Sequence, residues 1–320
     1  MASFEVIAVG RVGIDLYPLR SGVPLSEVDT FARFLGGSAT NVAVAAARLG
    51  RSAAVVTRTG ADPFGDYVHS ALKEYGVDDR FVSAVPGLPT PITFCELFPP
   101  DRFPLYFYRQ PSAPDLRIAA AELDFAALDE AAIVWLTGTG LCAEPSRAAH
   151  HAILERRASL ARATTVLDLD YRPLFWASPE AARTAVRAAL DTGGVSVAVG
   201  NLEECAVATG ESDPDRAAAA LLARGVRLAV VKLGPDGVLG VPAGEPAVRV
   251  PPVHVEVVNG LGAGDAFGGA LCHGFLAGWP LAETLRFANA AGALVTGQLA
   301  CSAAMPTAAE VTALLSRGNR

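Results

Sequence analysis

The chain is expected to fold as an α/β protein, a mainly parallel sheet covered by helices on both faces, with a small β-sheet lid. Three observations predict this. Short β-branched runs alternate with alanine-rich stretches of helical period; the β-branched runs are apolar throughout; and two aromatic, strand-like segments interrupt the alternation. A strand with no polar face must be buried on both sides, which a parallel sheet between helix layers provides.

Strands are expected at 6–9, 53–57, 133–136, 165–169, 195–199 and 228–232. Helices are expected between them at about 40–49, 64–75, 146–162, 179–190 and 214–224. Gly50 and Gly76 stand where left-handed residues would end two of these helices. The first interruption, from "GRVGIDLYPL" to "FARFLGG", has no helical period before Gly36. The second, "TPITFCELFPPDRFPLYFYR", reads as strands at 90–98 and 103–109 joined by a Pro-Pro-Asp-Arg turn. Phe103, Tyr106, Phe107 and Tyr108 gather there, although only 7% of the chain is aromatic. These pieces, about 11–35 and 88–112, are expected to form a lid inserted in one domain spanning 1–320. After Asp236 the chain turns β-rich and then closes with helices near 263–278, 282–298 and 307–316.

With 320 residues, 51% apolar and 18% charged, the chain can bury a large core and is not generally disordered. A net charge of −7 argues against nucleic acid as a partner. The longest apolar stretch, 263–279, carries Asp265 and His273 and is too short to span a membrane. The opening "MASFEVIAVG" runs straight into a strand without a basic leader. Five scattered cysteines, none spaced C-x-x-C, suit a reducing, cytoplasmic location. His69, His150, His151, His254 and His273 form no ligand spacing; His150-His151 and Arg156-Arg157 read as surface residues of a helix.

The chemistry concentrates in "VEVVNGLGAGDAFGGALCHGF". Gly260, Gly262 and Gly264 allow a tight turn, and a helix starting at about Ala263 would aim unpaired N–H groups at an anion. A carboxylate at Asp265 would repel a merely bound phosphate. It makes sense as a general base on a substrate hydroxyl while amides of Gly262, Ala263 and Gly264 stabilise a phosphoryl group in transfer. An aspartate cap explains Asp265 but not the three glycines. A dinucleotide fingerprint fails at Phe267, and no Walker loop is present. In "FLGGSATNVAVAAARLG", Gly36 and Gly37 again precede a helix, Asn41 offers a two-way hydrogen-bonding group, and Asp15 is placed to accept from hydroxyls.

Taken in order, Gly36-Gly37 with Asn41, "GADPFGDYV", "NLEE", "VKLGPDG" and "GAGDAF" resemble the PfkB, or ribokinase-like, family of sugar kinases from Val6 to Pro306. The resemblance implies a Rossmann-like domain with a β-lid and transfer of the ATP γ-phosphate to a sugar hydroxyl, with Asp265 as base and Gly262 to Gly264 as anion hole. It assigns Asn201 and Glu204 to Mg²⁺ and phosphates through water, and Lys232, Gly234, Gly237 and Asn289 to the nucleotide. Many members have an aspartate where this chain has Asn259, next to a monovalent cation site, so K⁺ dependence is an open expectation. Lid strands in this fold often pair between subunits, so a homodimer through the lid is expected.

The sugar is expected to meet Tyr108 and Arg109 in "FPLYFYRQ" and Asp170 and Arg172 in "LDLDYRPLFW". Two arginines converging on one cleft suggest a carboxylate, which a guanidinium grips in a fork. These segments look most like family members acting in myo-inositol breakdown, which implies phosphorylation of 5-dehydro-2-deoxy-D-gluconate at its 6-hydroxyl. The alternatives are 2-dehydro-3-deoxygluconate, another sugar or nucleoside, or a sensor that kept the fold and lost catalysis.

Overall fold

Val6–Val9 lies in the middle of a ten-stranded sheet, and its side chains show why the strand runs are apolar throughout. Val6 and Ala8 enter one core layer with Trp135, Val166 and Val230, whereas Ile7 and Val9 enter the other with Val134, Leu167 and Ala198. The computed structural model describes residues 3–160 and 163–317. From one edge, the sheet runs Val248–Val250, Val238–Pro242, Leu228–Lys232, Val197–Asn201, Thr164–Asp168, Ile133–Thr137, Val6–Val9, Ala53–Gly60 and Val77–Asp78. Val82–Val85 also pairs with Ala53–Gly60. The pairings are parallel except those of Val238–Pro242, which is antiparallel to both neighbours.

Ser38–Arg48, Ala263–Ala277 and Leu281–Thr296 cover one face; Ser146–Ala158, Pro179–Leu190, Leu202–Thr209 and Pro214–Leu222 cover the other. Glycine sets how closely the first two pack. A Cβ at Gly269 would lie 2.3 Å from that of Ala45, and one at Gly268 would lie 2.7 Å from the Trp135 ring. Larger residues there would push Ala263–Ala277 off the sheet and move its N-terminus from the strand ends.

A second sheet has the order Phe31–Gly36, Gly13–Pro18, Ile92–Cys95, Leu105–Tyr108. Register places Asp15 beside Thr93, and Thr93 beside Phe107. Strand alternation then puts Tyr106 and Tyr108 on the opposite face with Phe94, where they are 45% and 63% exposed.

The helices at Pro179–Leu190 and the strands at Val6–Val9 and Leu228–Lys232 coincide with their expected spans. The strands expected at 90–98 and 103–109 shorten to Ile92–Cys95 and Leu105–Tyr108, because the chain between them closes on itself through a Phe98–Arg102 bridge. The helix expected over 146–162 ends at Ala158, and positions 161–162 lie outside the described residues. Leu202–Thr209 was not expected as a helix; Asn201 caps it.

Two surface readings are corrected. His150 is fully buried, its Nδ1 2.8 Å from the Ser146 carbonyl, and burial depresses its pKa to about 4. Arg157 is also buried, because the C-terminal end of the helix Phe125–Glu130 and the start of the strand Thr164–Asp168 present carbonyls on that side. It donates to the carbonyls of Leu128, Ala131 and Thr164 and to Thr165 Oγ1. Among the described residues no helix is long and apolar enough to cross a membrane.

Candidate active site

Three adjacent strands end in polar side chains on one edge of the large sheet: Thr164–Asp168 in Asp168, Val197–Asn201 in Asn201 and Leu228–Lys232 in Lys232. The helix Ala263–Ala277 begins beside them. Its first intrahelical bond runs from Ala266 N to Gly262 O at 2.9 Å, so the N–H groups of Ala263, Gly264 and Asp265 precede the bonded ladder. Gly262 has φ +82°, and a Cβ there would sit 2.7 Å from Cys301 Sγ. A Cβ at Gly264 would lie 3.2 Å from Lys232 Nζ, which places the ammonium at the helix mouth. Amides and ammonium together make a positive socket.

Asp265 sits in the same first turn. Its Oδ2 accepts from Asn41 Nδ2 at 2.8 Å, and Asn41 Oδ1 accepts from Ser302 Oγ at 2.7 Å, so the carboxylate is aimed by an oriented amide. Burial raises its pKa to about 6, against the pull of the Asn41 bond and with the help of the Asp170 charge. Asp15 is likewise raised to about 6, chiefly by burial; Arg11 opposes the rise and Asp265 adds to it. The structure thus brings Asp15, Asn41 and Asp265 together. Gly36 explains the approach, since a Cβ there would fall 2.2 Å from Asp15 Cγ. Gly37, at φ +102°, packs on the Arg11 carbonyl, where a Cβ would be 2.5 Å away.

Glu204 and Asn201 form a reciprocal cap: Asn201 N donates to Glu204 Oε2 at 2.7 Å, and Glu204 N donates to Asn201 Oδ1 at 2.8 Å. Lys232 Nζ lies 3.9 Å from Glu204 Oε2 and 4.0 Å from Asp168 Oδ1. Burial pushes Asp168 up to about 8, with Lys232 opposing and the Glu204 and Asp170 charges adding. The same buried acids hold Lys232 charged, well above the usual lysine range. Among the described residues no three metal-ligating side chains are grouped to hold an ion by themselves. Gly234 and Gly237, at φ +60° and +91°, form the turn after Leu228–Lys232. Asn289 Nδ2 donates to Pro251 O at 3.1 Å, tying its helix to the neighbouring loop.

Three of the four expected sugar contacts look different in place. Asp170 is buried at φ +29°, accepting from Ser38 Oγ at 2.6 Å and Thr139 Oγ1 at 3.0 Å, with Arg172 at 3.1 Å and Arg11 at 3.8 Å. Arg172, Arg11 and these bonds outweigh burial and lower its pKa to about 2, so it anchors the wall rather than facing a ligand unpartnered. Arg109 is 10% exposed and grips both oxygens of buried Asp115, at 2.8 and 3.1 Å. Tyr108 faces away from Asp15; Phe107 takes the inner position, its ring 4.9 Å from that of Phe175. Arg172 stays at the cleft, with its Nε buried and unpartnered. Asn259 is fully buried, donating to Leu299 O at 2.7 Å and accepting from Leu261 N at 3.0 Å.

Sequence reasoning missed Arg11 and Asp168. An aspartate at the last position of an apolar strand run was the available signal for Asp168. Arg11, one residue beyond the first strand run, had none.

Comparison with known proteins gives a consistent result. A model described as pfkB family carbohydrate kinase matches residues 3–308. The chain is 33% identical to a 5-dehydro-2-deoxygluconokinase from Shouchella clausii over 98% of its own length and 95% of that protein's. A fructokinase from Xylella fastidiosa solved with bound ATP superposes with a TM-score of 0.85 at 26% identity, covering 98% of this chain and 99% of that one. A protein from E. coli described as a ribokinase II, solved in complex with ATP and Mg²⁺, shares the fold with a TM-score of 0.87 at 23% identity, over 99% of this chain and 100% of that one. With residues 3–308 of 320 inside the family match and a relative 33% identical over nearly the whole chain, this chain belongs to the PfkB family of carbohydrate kinases.

Proposed function

We propose that this chain transfers the γ-phosphate of ATP to the primary hydroxyl of an acidic keto-sugar, 5-dehydro-2-deoxy-D-gluconate, giving its 6-phosphate. One observation carries the reading: a carboxylate with pKa about 6, oriented by Asn41, shares a single helical turn with unpaired amides. In this reading Asp265 takes the hydroxyl proton as the oxygen attacks phosphorus. The amides from Gly262 to Gly264, with Lys232, neutralise the charge that develops on the phosphoryl oxygens. Asp15 accepts from sugar hydroxyls at a position left open by Gly36.

In this reading the nucleotide lies over Lys232, the Gly234–Gly237 turn and Asn289; the ATP bound by the Xylella fructokinase supports ATP as the phosphate donor. Mg²⁺ fits here as an ion held by phosphates and water, because Asp168 and Glu204 offer two carboxylates beside Lys232 and no third. When bound, Mg²⁺ supplies charge neutralisation at the phosphates. Asn259 does not fit a charged cation clamp: both ends of its amide already tie the 259–261 turn to Leu299, so we read the site as independent of K⁺. The name of the Shouchella relative supports the choice of sugar. The second sheet is the lid of a single domain. Its outer face carries exposed Tyr106 and Tyr108, which suit a second copy of the chain. Five free cysteines suit a cytoplasmic setting.

The test is ADP release measured across 5-dehydro-2-deoxy-D-gluconate, 2-dehydro-3-deoxygluconate, fructose, ribose and a nucleoside. The first should give the highest kcat/KM. A higher value for 2-dehydro-3-deoxygluconate would replace the substrate within the same class. Faster turnover of fructose or ribose than of either acid would sink the acidic-sugar reading.

A further inference from the structure

Two other deeply buried arginines have their hydrogen bonds in place. Arg157 donates to three backbone carbonyls and a hydroxyl, and Arg109 grips both oxygens of Asp115. Arg11 does not. Its side chain is only 10% exposed and its Nε is buried without a partner, and no hydrogen bond from the guanidinium is formed among the described residues. Its nearest opposite charge is Asp170, 3.8 Å away, which Arg172 approaches more closely at 3.1 Å. One carboxylate therefore stands between two guanidiniums, and it comes no nearer to Arg11 than 3.8 Å, beyond hydrogen-bond reach. Leaving a buried Nε–H without an acceptor is costly, and folded proteins rarely do so without one arriving from elsewhere.

Arg11 also lies in the right place for that acceptor. It connects Val6–Val9 of the large sheet to Gly13–Pro18 of the lid sheet. Its guanidinium carbon is 5.7 Å from the Phe107 ring of the lid and 6.0 Å from the Phe175 ring of the main body. Its backbone is pinned, with Thr40 Oγ1 donating to its carbonyl at 3.2 Å and Gly37 packed against it. Its charge is felt by both Asp15 and Asp265. A cation held between two aromatic rings beside the proposed sugar site, without an acceptor of its own, matches a substrate that carries a carboxylate.

We propose that Arg11, together with Arg172, is the specificity-determining residue that binds the substrate carboxylate, and that Arg109 supports the wall through Asp115 instead. This rests on the acidic-sugar reading above. The experiment compares wild type with Arg11→Met and Arg11→Lys, measuring KM for 5-dehydro-2-deoxy-D-gluconate, for ATP and for fructose, with thermal melting as a check on folding. Losing a charge-assisted fork corresponds to roughly a 10- to 100-fold rise in KM for the acid. The KM for ATP and for fructose should stay within about twofold, since neither contacts the lost group. Arg11→Lys should recover part of the acid's affinity. An acid preference in wild type that survives Arg11→Met overturns this proposal alone, as does a rise in KM for ATP or an equal rise for fructose. A wild type with no preference for acids overturns the substrate reading and this proposal with it.

Discussion

Replacing Asp265 by Asn keeps the size and the contact with Asn41 but removes the group able to take a proton. Positioned general bases contribute about 10²- to 10⁴-fold in rate, so kcat should fall by at least about a hundredfold while ATP still binds. The pKa adds a second signature. With a value of about 6, the carboxylate is about 97% ionised at pH 7.5 and about 9% at pH 5, so wild-type kcat should fall roughly tenfold between them. The sign follows from the chemistry: the ionised form is the active one, so rate is lost as pH drops through 6. Asp15 shares a value of about 6, and the variants separate the two. Asp15→Asn should keep the acid limb at weaker sugar binding; Asp265→Asn should be slow and flat. The assay is coupled ADP release at saturating substrates from pH 5 to 8. An Asp265→Asn enzyme that retains more than about a tenth of wild-type kcat, or an acid limb that persists in it, refutes the base assignment.

Gly262→Ala places a methyl at φ +82° and against Cys301, costing about 1–2 kcal/mol for the backbone alone; melting temperature should drop by several degrees and kcat by about a hundredfold as the amides swing away. Arg109→Ala strands the buried Asp115 carboxylate, so a loss of about 3–5 kcal/mol is expected in urea unfolding, and Arg109→Met/Asp115→Leu should recover most of it. Because Asn259 already ties its turn to Leu299, turnover in Na⁺ and K⁺ buffers should agree within about twofold, and a larger gap would show that carbonyls there do bind the ion.

What the sequence disclosed was local. Val6–Val9 and Leu228–Lys232 carry their burial in their own composition, and Pro179–Leu190 carries its start in Ser178 and its period in alanines. The turn at Gly262, Asp265 beyond it and Asn41 are likewise written in short motifs whose backbone requirements are visible residue by residue. What stayed hidden depends on the fold. Arg157 reads as a helix-surface charge until the end of the helix Phe125–Glu130 and the start of the strand Thr164–Asp168 bring their carbonyls to it. Tyr108 and Phe107 differ by one position in a strand, and a single step of parity decides which of them meets the cleft. Arg109 reads as a ligand until Asp115 folds under it, and Arg11 stands out only because its surroundings leave it without an acceptor.

The most direct test is to identify the product by ³¹P NMR after incubation with ATP, Mg²⁺ and 5-dehydro-2-deoxy-D-gluconate. The account predicts a phosphate monoester split into a triplet by two C6 protons, growing in step with ADP. ADP accompanied only by inorganic phosphate, or a monoester coupled to a single proton, would contradict it.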